Sequence, residues 1–279
     1  MINRLFDSLI SPATLSVVSV DDRTSDSQTR SNTVGAAWLL IIAVMLAMLV
    51  ATPVQAQRGG RGGRGGPPPP AQVAAPIDIT GYWVSVVTED WKFRMVTPNP
   101  GAYDALTLNG EGRQVGDTWD PAADEAAGEA CKGYGAPAIM RLAGRFHLTW
   151  EDDNTLRVDT DYGTQTRMFR FGPEAAGDPS LQGHSMAEWQ GAPDGGGGLK
   201  VVTDNLTEGY IRKNGAPYSE QTTITEHYDL HTMPNGDQWL SVTTQVDDPV
   251  YFSRPLITST DFKRLPDDQG WDPSPCSAR

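Results

Sequence analysis

Between Ser219 and Val246, two runs of alternating apolar and polar residues flank Met233-Pro234-Asn235-Gly236-Asp237. Period-2 alternation marks a strand with one buried face, and Asn-Gly tolerates the positive φ of a tight hairpin, so the stretch predicts strand, turn and returning strand. In the first run Ile224, Tyr228 and Leu230 fall on one side, and their phase sends Glu226 the same way. Thr223, Thr225, His227, Asp229 and His231 fall on the other side. In the return run Leu240, Val242 and Val246 alternate with Ser241, Thr243 and Gln245. The pair presents one shared apolar surface that needs more sheet to cover it.

Similar alternation recurs at short intervals. Ile79–Val87, Trp91–Val96, Arg145–Trp150, Thr155–Thr160, Thr164–Phe171, Ser185–Gln190, Leu199–Asn205 and Thr258–Arg264 all read as strands. Asp104–Gly135 lacks the period, and within it Asp120–Ala130 predicts a short helix, with Asp at the cap and Pro in the first turn. Nine or ten strands with one short helix predict an all-β, mainly antiparallel domain. A single up-and-down barrel of about eight to ten strands is favoured over a sandwich, because closure removes exposed edges.

The chain ahead of these strands is of another kind. Val34–Val50 is almost wholly apolar, and Val54-Gln55-Ala56 offers small residues where a signal peptidase reads, so residues 1–56 are expected to be a signal peptide with a long N-terminal extension. An uncleaved anchor is the alternative, since Val34–Val54 approaches the ~20 residues that span a bilayer. Residues 57–76, with three Arg-Gly-Gly repeats and four prolines, read as a tether, which leaves 77–279 as the barrel domain. The repeats lack the interleaved aromatics of RNA-binding tails. The whole chain has 22 Lys plus Arg against 35 Asp plus Glu, and residues 77–279 keep 16 against 31. A domain at −15 repels nucleic acid and anionic lipid, so neither nucleic acid nor, once the leader is removed, a membrane is expected as partner.

GYWVSVVTEDWKFRMVTP (81–98), GYIRKNGAPYSEQ (209–221), TEHYDL (225–230), DDPVYFSRPLITSTDFKR (247–264) and WDPSPCSAR (271–279) resemble segments of a group of exported, functionally uncharacterised bacterial proteins. The resemblance spans residues 79–279 and carries over no catalytic residue. More distantly, Gly81-Tyr82-Trp83 resembles the Gly-x-Trp opening of the lipocalin barrels, which implies that Lys263 or Arg264 on the last strand covers Trp83.

Export places Cys131 and Cys276 in an oxidising compartment, where an even pair most often forms a disulfide. His227-x-Asp229-x-His231 has the residue types of a zinc or iron site, but its phase puts it on the polar face, so no metal is expected there. Glu226, sent inward, requires a partner such as Arg94, Arg141 or Arg167. Ser185 in Gly183-His184-Ser185-Met186-Ala187 begins a strand rather than the strand-turn-helix of a nucleophile elbow. Asp159-x-Asp161-x-Gly163 has Arg170 where a calcium loop needs a glutamate, and reads as a hairpin turn. Gly195–Gly198 lacks the Gly-Lys-Ser/Thr of a phosphate loop. No cofactor is implied.

The expectation is a periplasmic or secreted β-barrel that binds a small apolar or amphipathic ligand in its lumen, with Trp83, Trp91, Arg94, Trp150, Glu188, Glu226 and Tyr228 as the residues lining it, and with Trp189 and Trp239 as further aromatics. A hydrolase or isomerase using Glu226 or Glu188 in the same lumen is the rival, and a structural envelope domain with a filled core is the third.

Overall fold

A computed structural model describes residues 67–192 and 196–279 of the chain. The leader, most of the tether and Gly195 lie outside the described residues.

Nine strands close into a barrel. In chain order β1 (Gly81–Val86), β2 (Arg145–Asp152), β3 (Thr155–Thr160), β4 (Thr166–Phe171), β5 (His184–Gly191), β6 (Gly197–Asp204), β9 (Thr223–Thr232), β10 (Gln238–Asp247) and β11 (Leu256–Leu265) are successive neighbours, and β11 returns to β1. Two short strands between β6 and β9, β7 (Gly209–Arg212) and β8 (Ala216–Tyr218), form a separate hairpin. Eight of the nine junctions are antiparallel, and β4–β5 is parallel. The topology is therefore not purely up-and-down. A ring with an odd number of strands cannot alternate direction throughout, so one junction must be parallel; it falls where residues 172–183 cross from one end of the barrel to the other.

The opening hairpin is in the expected register, with Tyr228 opposite Val242 and Leu230 opposite Leu240. Ile224, Glu226, Tyr228, Leu240, Val242 and Val246 are all buried, whereas Asp229 and His231 are exposed. The inward residues of the other strands join them in a continuous core that includes Trp83, Phe146, Leu156, Phe169 and Phe262. Those side chains are sealed from solvent and occupy the lumen. Beyond one end, Ile224, Val246 and Leu256 continue into a second core shared with Tyr218, Ile211 and Tyr103.

Helix is concentrated between β1 and β2. Five short α-helices occur among the described residues: α1 (Ala71–Ala74), α2 (Trp91–Arg94), α3 (Gly110–Asp117), α4 (Pro121–Ala127) and α5 (Ala136–Ile139), with a 3₁₀ turn at Ala130–Tyr134. Only α4 was expected; Asp120 caps it by accepting from the Ala122 N–H at 2.9 Å. The predicted strand Trp91–Val96 is instead α2 and its exit. Asp90, at φ 48°, turns the chain out of β1, and Trp91, Met95 and Val96 are exposed rather than sharing a buried face. Two of the three α3 glycines, Gly112 and Gly116, are its contact surface, against Tyr251 and Tyr103. A Cβ at Gly112 would lie 2.7 Å from the Tyr251 carbonyl oxygen, so only glycine permits that approach. No described helix is long and apolar enough to cross a membrane.

Candidate functional site

A charged pair spans the lumen between β4 and β9. Arg167 on β4 donates from Nη1 and Nη2 to the two Glu226 carboxylate oxygens on β9, at 3.0 and 2.6 Å, and from Nη2 to Thr203 Oγ1 at 3.3 Å. Both side chains are 0–1 % exposed. Tyr228 Oη donates to Glu226, Thr203 and Ser185 share a hydrogen bond, and the Arg167 guanidinium lies 4.9 Å from the Phe169 ring centre. Burial opposes the charge on Arg167, but the Glu226 carboxylate and Tyr228 outweigh it and raise its pKa. Burial, reinforced by Glu226, raises the Tyr228 phenol well above its ordinary value. Of the three arginines that could have met Glu226, the alternation of β4 sends Arg167 inward; Arg94 and Arg141 lie at the helix-covered end and pair with Glu89 and Asp90.

Trp83 is fully buried and donates from Nε1 to the Ile79 carbonyl at 2.9 Å. The Arg264 guanidinium sits 4.8 Å from its ring centre and donates to the Asp78 carbonyl. The basic cover over the opening tryptophan is thus Arg264, while Lys263 points outward and pairs with Asp237.

At the mouth where β1 begins, α1 and the chain up to Thr80 run past the barrel rim and bound a cleft of about 420 Å³, lined among others by Gln72, Ile77, Ile79, Trp150, Leu156 and Trp189. Trp150, Phe171 and Trp189 form an aromatic group with ring centres 5.3 to 6.4 Å apart. The rim is fastened by main-chain bonds. Trp189 Nε1 donates to the Ala71 carbonyl at 2.9 Å, and the Ala71 N–H donates to Asn154 Oδ1 at 2.9 Å. Residues 71–76, expected in the tether, are therefore packed on the barrel. Composition could not reveal this, because the contacts are made by the backbone of an Ala-rich stretch.

The predicted lining residues thus do not share one cavity. Trp83, Glu226 and Tyr228 lie in the packed lumen, Trp150 is at the mouth, and Trp91 is exposed on α2. Arg94 is at the opposite end, paired with Glu89. Glu188 is exposed on the outer wall and pairs with Lys200 at 3.1 Å. His227, Asp229 and His231 stay on the outer face, where His227 Nδ1 lies 3.3 Å from Gln190 Oε1. Ser185 is buried beside Thr203 inside β5, and Asp161 turns back to accept from the Arg145 N–H at 2.8 Å. Two lining elements escaped the sequence, Ile77–Thr80 and Leu156; the apolar Ile77 and Ile79 just ahead of Gly81 were the available signal.

The architecture is that of a closed, mainly antiparallel β-barrel with a solid centre and an aromatic cleft at one mouth. No family model matches the chain, and no curated protein is significantly similar to it.

Proposed function

We propose that this protein is an exported, lipocalin-like barrel that binds a small amphipathic ligand at its mouth rather than in its lumen. The observation that carries the proposal is the cleft of about 420 Å³ with Trp150, Trp189 and Leu156 in its wall. Its size falls within the ~300–1,000 Å³ of small-molecule sites, and the surface it offers a ligand is mixed, more polar than apolar. Here the polar groups come from Gln72, Asp78 and the main chain ahead of β1. Export is supported by the Cys131–Cys276 disulfide. Binding is favoured over catalysis because Glu226 is sealed from solvent and held by Arg167, while Glu188 stands outside the wall.

The test is titration with N-phenyl-1-naphthylamine, a neutral fluorescent probe. Saturable binding with energy transfer from tryptophan is expected, and Trp189→Ala should weaken it about tenfold, as loss of a buried aromatic contact does. Ala75→Trp, which obstructs the cleft without removing packing, should block it as well. Binding that is non-saturable, or indifferent to both substitutions, would remove the mouth as the site.

A further inference from the structure

We propose that the opposite, helix-covered end of the barrel carries a separate binding site for a small organic carboxylate, formed by Arg94, Arg141, Arg212 and Lys213. These four residues come from three parts of the chain: α2, the segment leading into β2, and the β7–β8 hairpin. They line one cavity of about 40 Å³, whose apolar wall includes Phe93 and Leu142. A water needs about 10–15 Å³ of such space, so the enclosed part takes roughly three non-hydrogen atoms, the size of a carboxylate group, and the cavity's open side leaves room for the rest of the ligand.

The concentration of positive charge here runs against the rest of the domain. The Arg94 side chain is 1 % exposed; its Nη1 is taken by Glu89 and its Nε by the Arg141 carbonyl at 3.0 Å. Arg141 gives Nη2 to Asp90 at 2.9 Å. Among the described residues, Arg94 Nη2 and Arg141 Nη1 are buried donors without a hydrogen-bond partner. Arg145, Arg167 and Arg264 each leave a single Nε unpaired, but here two terminal donors on neighbouring side chains border one cavity, which points to an acceptor supplied from outside the chain.

Arg212 and Lys213 form no ion pair among the described residues. Arg212 is held by the Asp104 carbonyl at 3.1 Å and stacks 4.7 Å from the Phe93 ring centre. Lys213 donates to Tyr134 Oη at 2.9 Å and Ser277 Oγ at 3.0 Å. Burial, then the neighbouring charge of Arg141, push Arg212 down to about 10, against the weaker pull of Asp90 and Asp104. Four cations therefore face two paired carboxylates and the outlying Asp104. A carboxylate has one oxygen for each of the two unpaired donors, Arg94 Nη2 and Arg141 Nη1, and the apolar wall beside them suits its carbon body. A phosphate has no carbon body to meet that apolar wall.

The test uses the full chain and sodium benzoate, with binding followed by calorimetry at constant ionic strength and chloride and phosphate in parallel. Saturable benzoate binding is expected. Arg141→Gln should weaken it at least about tenfold, as should Lys213→Gln, each removing one charged donor. If Arg141→Gln does not fold, Lys213→Gln decides alone. Absence of saturable binding, unchanged affinity in a folded variant, or tighter binding of phosphate than of benzoate would each overturn the proposal. Because the mouth probe is neutral and binds at the other end, failure of one site is distinguishable from failure of the other.

Discussion

Glu226→Gln would leave the Arg167 guanidinium buried beside a neutral amide, with Thr203 as its remaining side-chain partner. Removing one member of a buried ion pair costs about 3–5 kcal/mol, whereas replacing both members with apolar groups of similar size is often neutral. Urea unfolding should therefore show Glu226→Gln strongly destabilised and the double variant Arg167→Met/Glu226→Leu much less so. If the single change costs under about 1 kcal/mol, the pair is not the counter-charge that keeps Arg167 inside. His147 gives a pH-dependent counterpart. It stacks on Tyr82 with ring centres 3.8 Å apart, and burial lowers its pKa from 6.5 against the opposing charge of Asp159. The folded state thus prefers the neutral imidazole. This contribution to stability is present above the unfolded value and is lost as pH falls through the lowered folded one. An NMR titration should place the midpoint of His147 below 6.5, and a midpoint at or above that value would contradict the assignment.

Gly215 and Gly236 show how much a turn depends on what lies over it. Both have positive φ, at 83° and 87°, but a Cβ on Gly215 would lie 2.4 Å from Trp119 Cβ, whereas one on Gly236 would meet nothing within 4 Å. Gly236→Ala should cost about 1 kcal/mol and Gly215→Ala about 2–4 kcal/mol, since backbone strain is joined by overpacking. Equal losses in denaturant unfolding would show that the β7–β8 hairpin is not pressed on Trp119. The elements most legible in the sequence are those whose residues repeat every second position. All nine barrel strands carry that signal, and Glu226 was placed inward by phase alone. Trp91–Val96 carries it too, but its alternation answers to no sheet, because the left-handed Asp90 turns the chain away from the barrel. β7 and β8, of four and three residues, are too short to show a period. The mouth cleft was illegible for another reason, since the backbone of residues 71–80 bounds it. The basic end was illegible as well: its four cations are scattered from 94 to 213, on α2, the segment before β2 and the β7–β8 hairpin, and meet only in the fold.

The disulfide Cys131–Cys276 joins the 3₁₀ turn to the C-terminal tail across a sequence separation of 145 residues. Closing a loop of that length stabilises by about 5 kcal/mol on the chain-entropy model, so reduction should lower the unfolding midpoint substantially with little change in the folded barrel. Unfolding with and without dithiothreitol measures it; coincident curves would show that the bond contributes nothing. The position of the bond has a topological consequence. β2 to β11 all lie between the two cysteines, so the oxidised molecule is a covalent macrocycle that contains eight of the nine barrel strands. β1 alone enters from outside it and is seated between β2 and β11 like the last stave of a cask. A protease cut anywhere in the macrocycle would linearise it without releasing a fragment, while a cut between β1 and Cys131 would sever the strand that completes the wall.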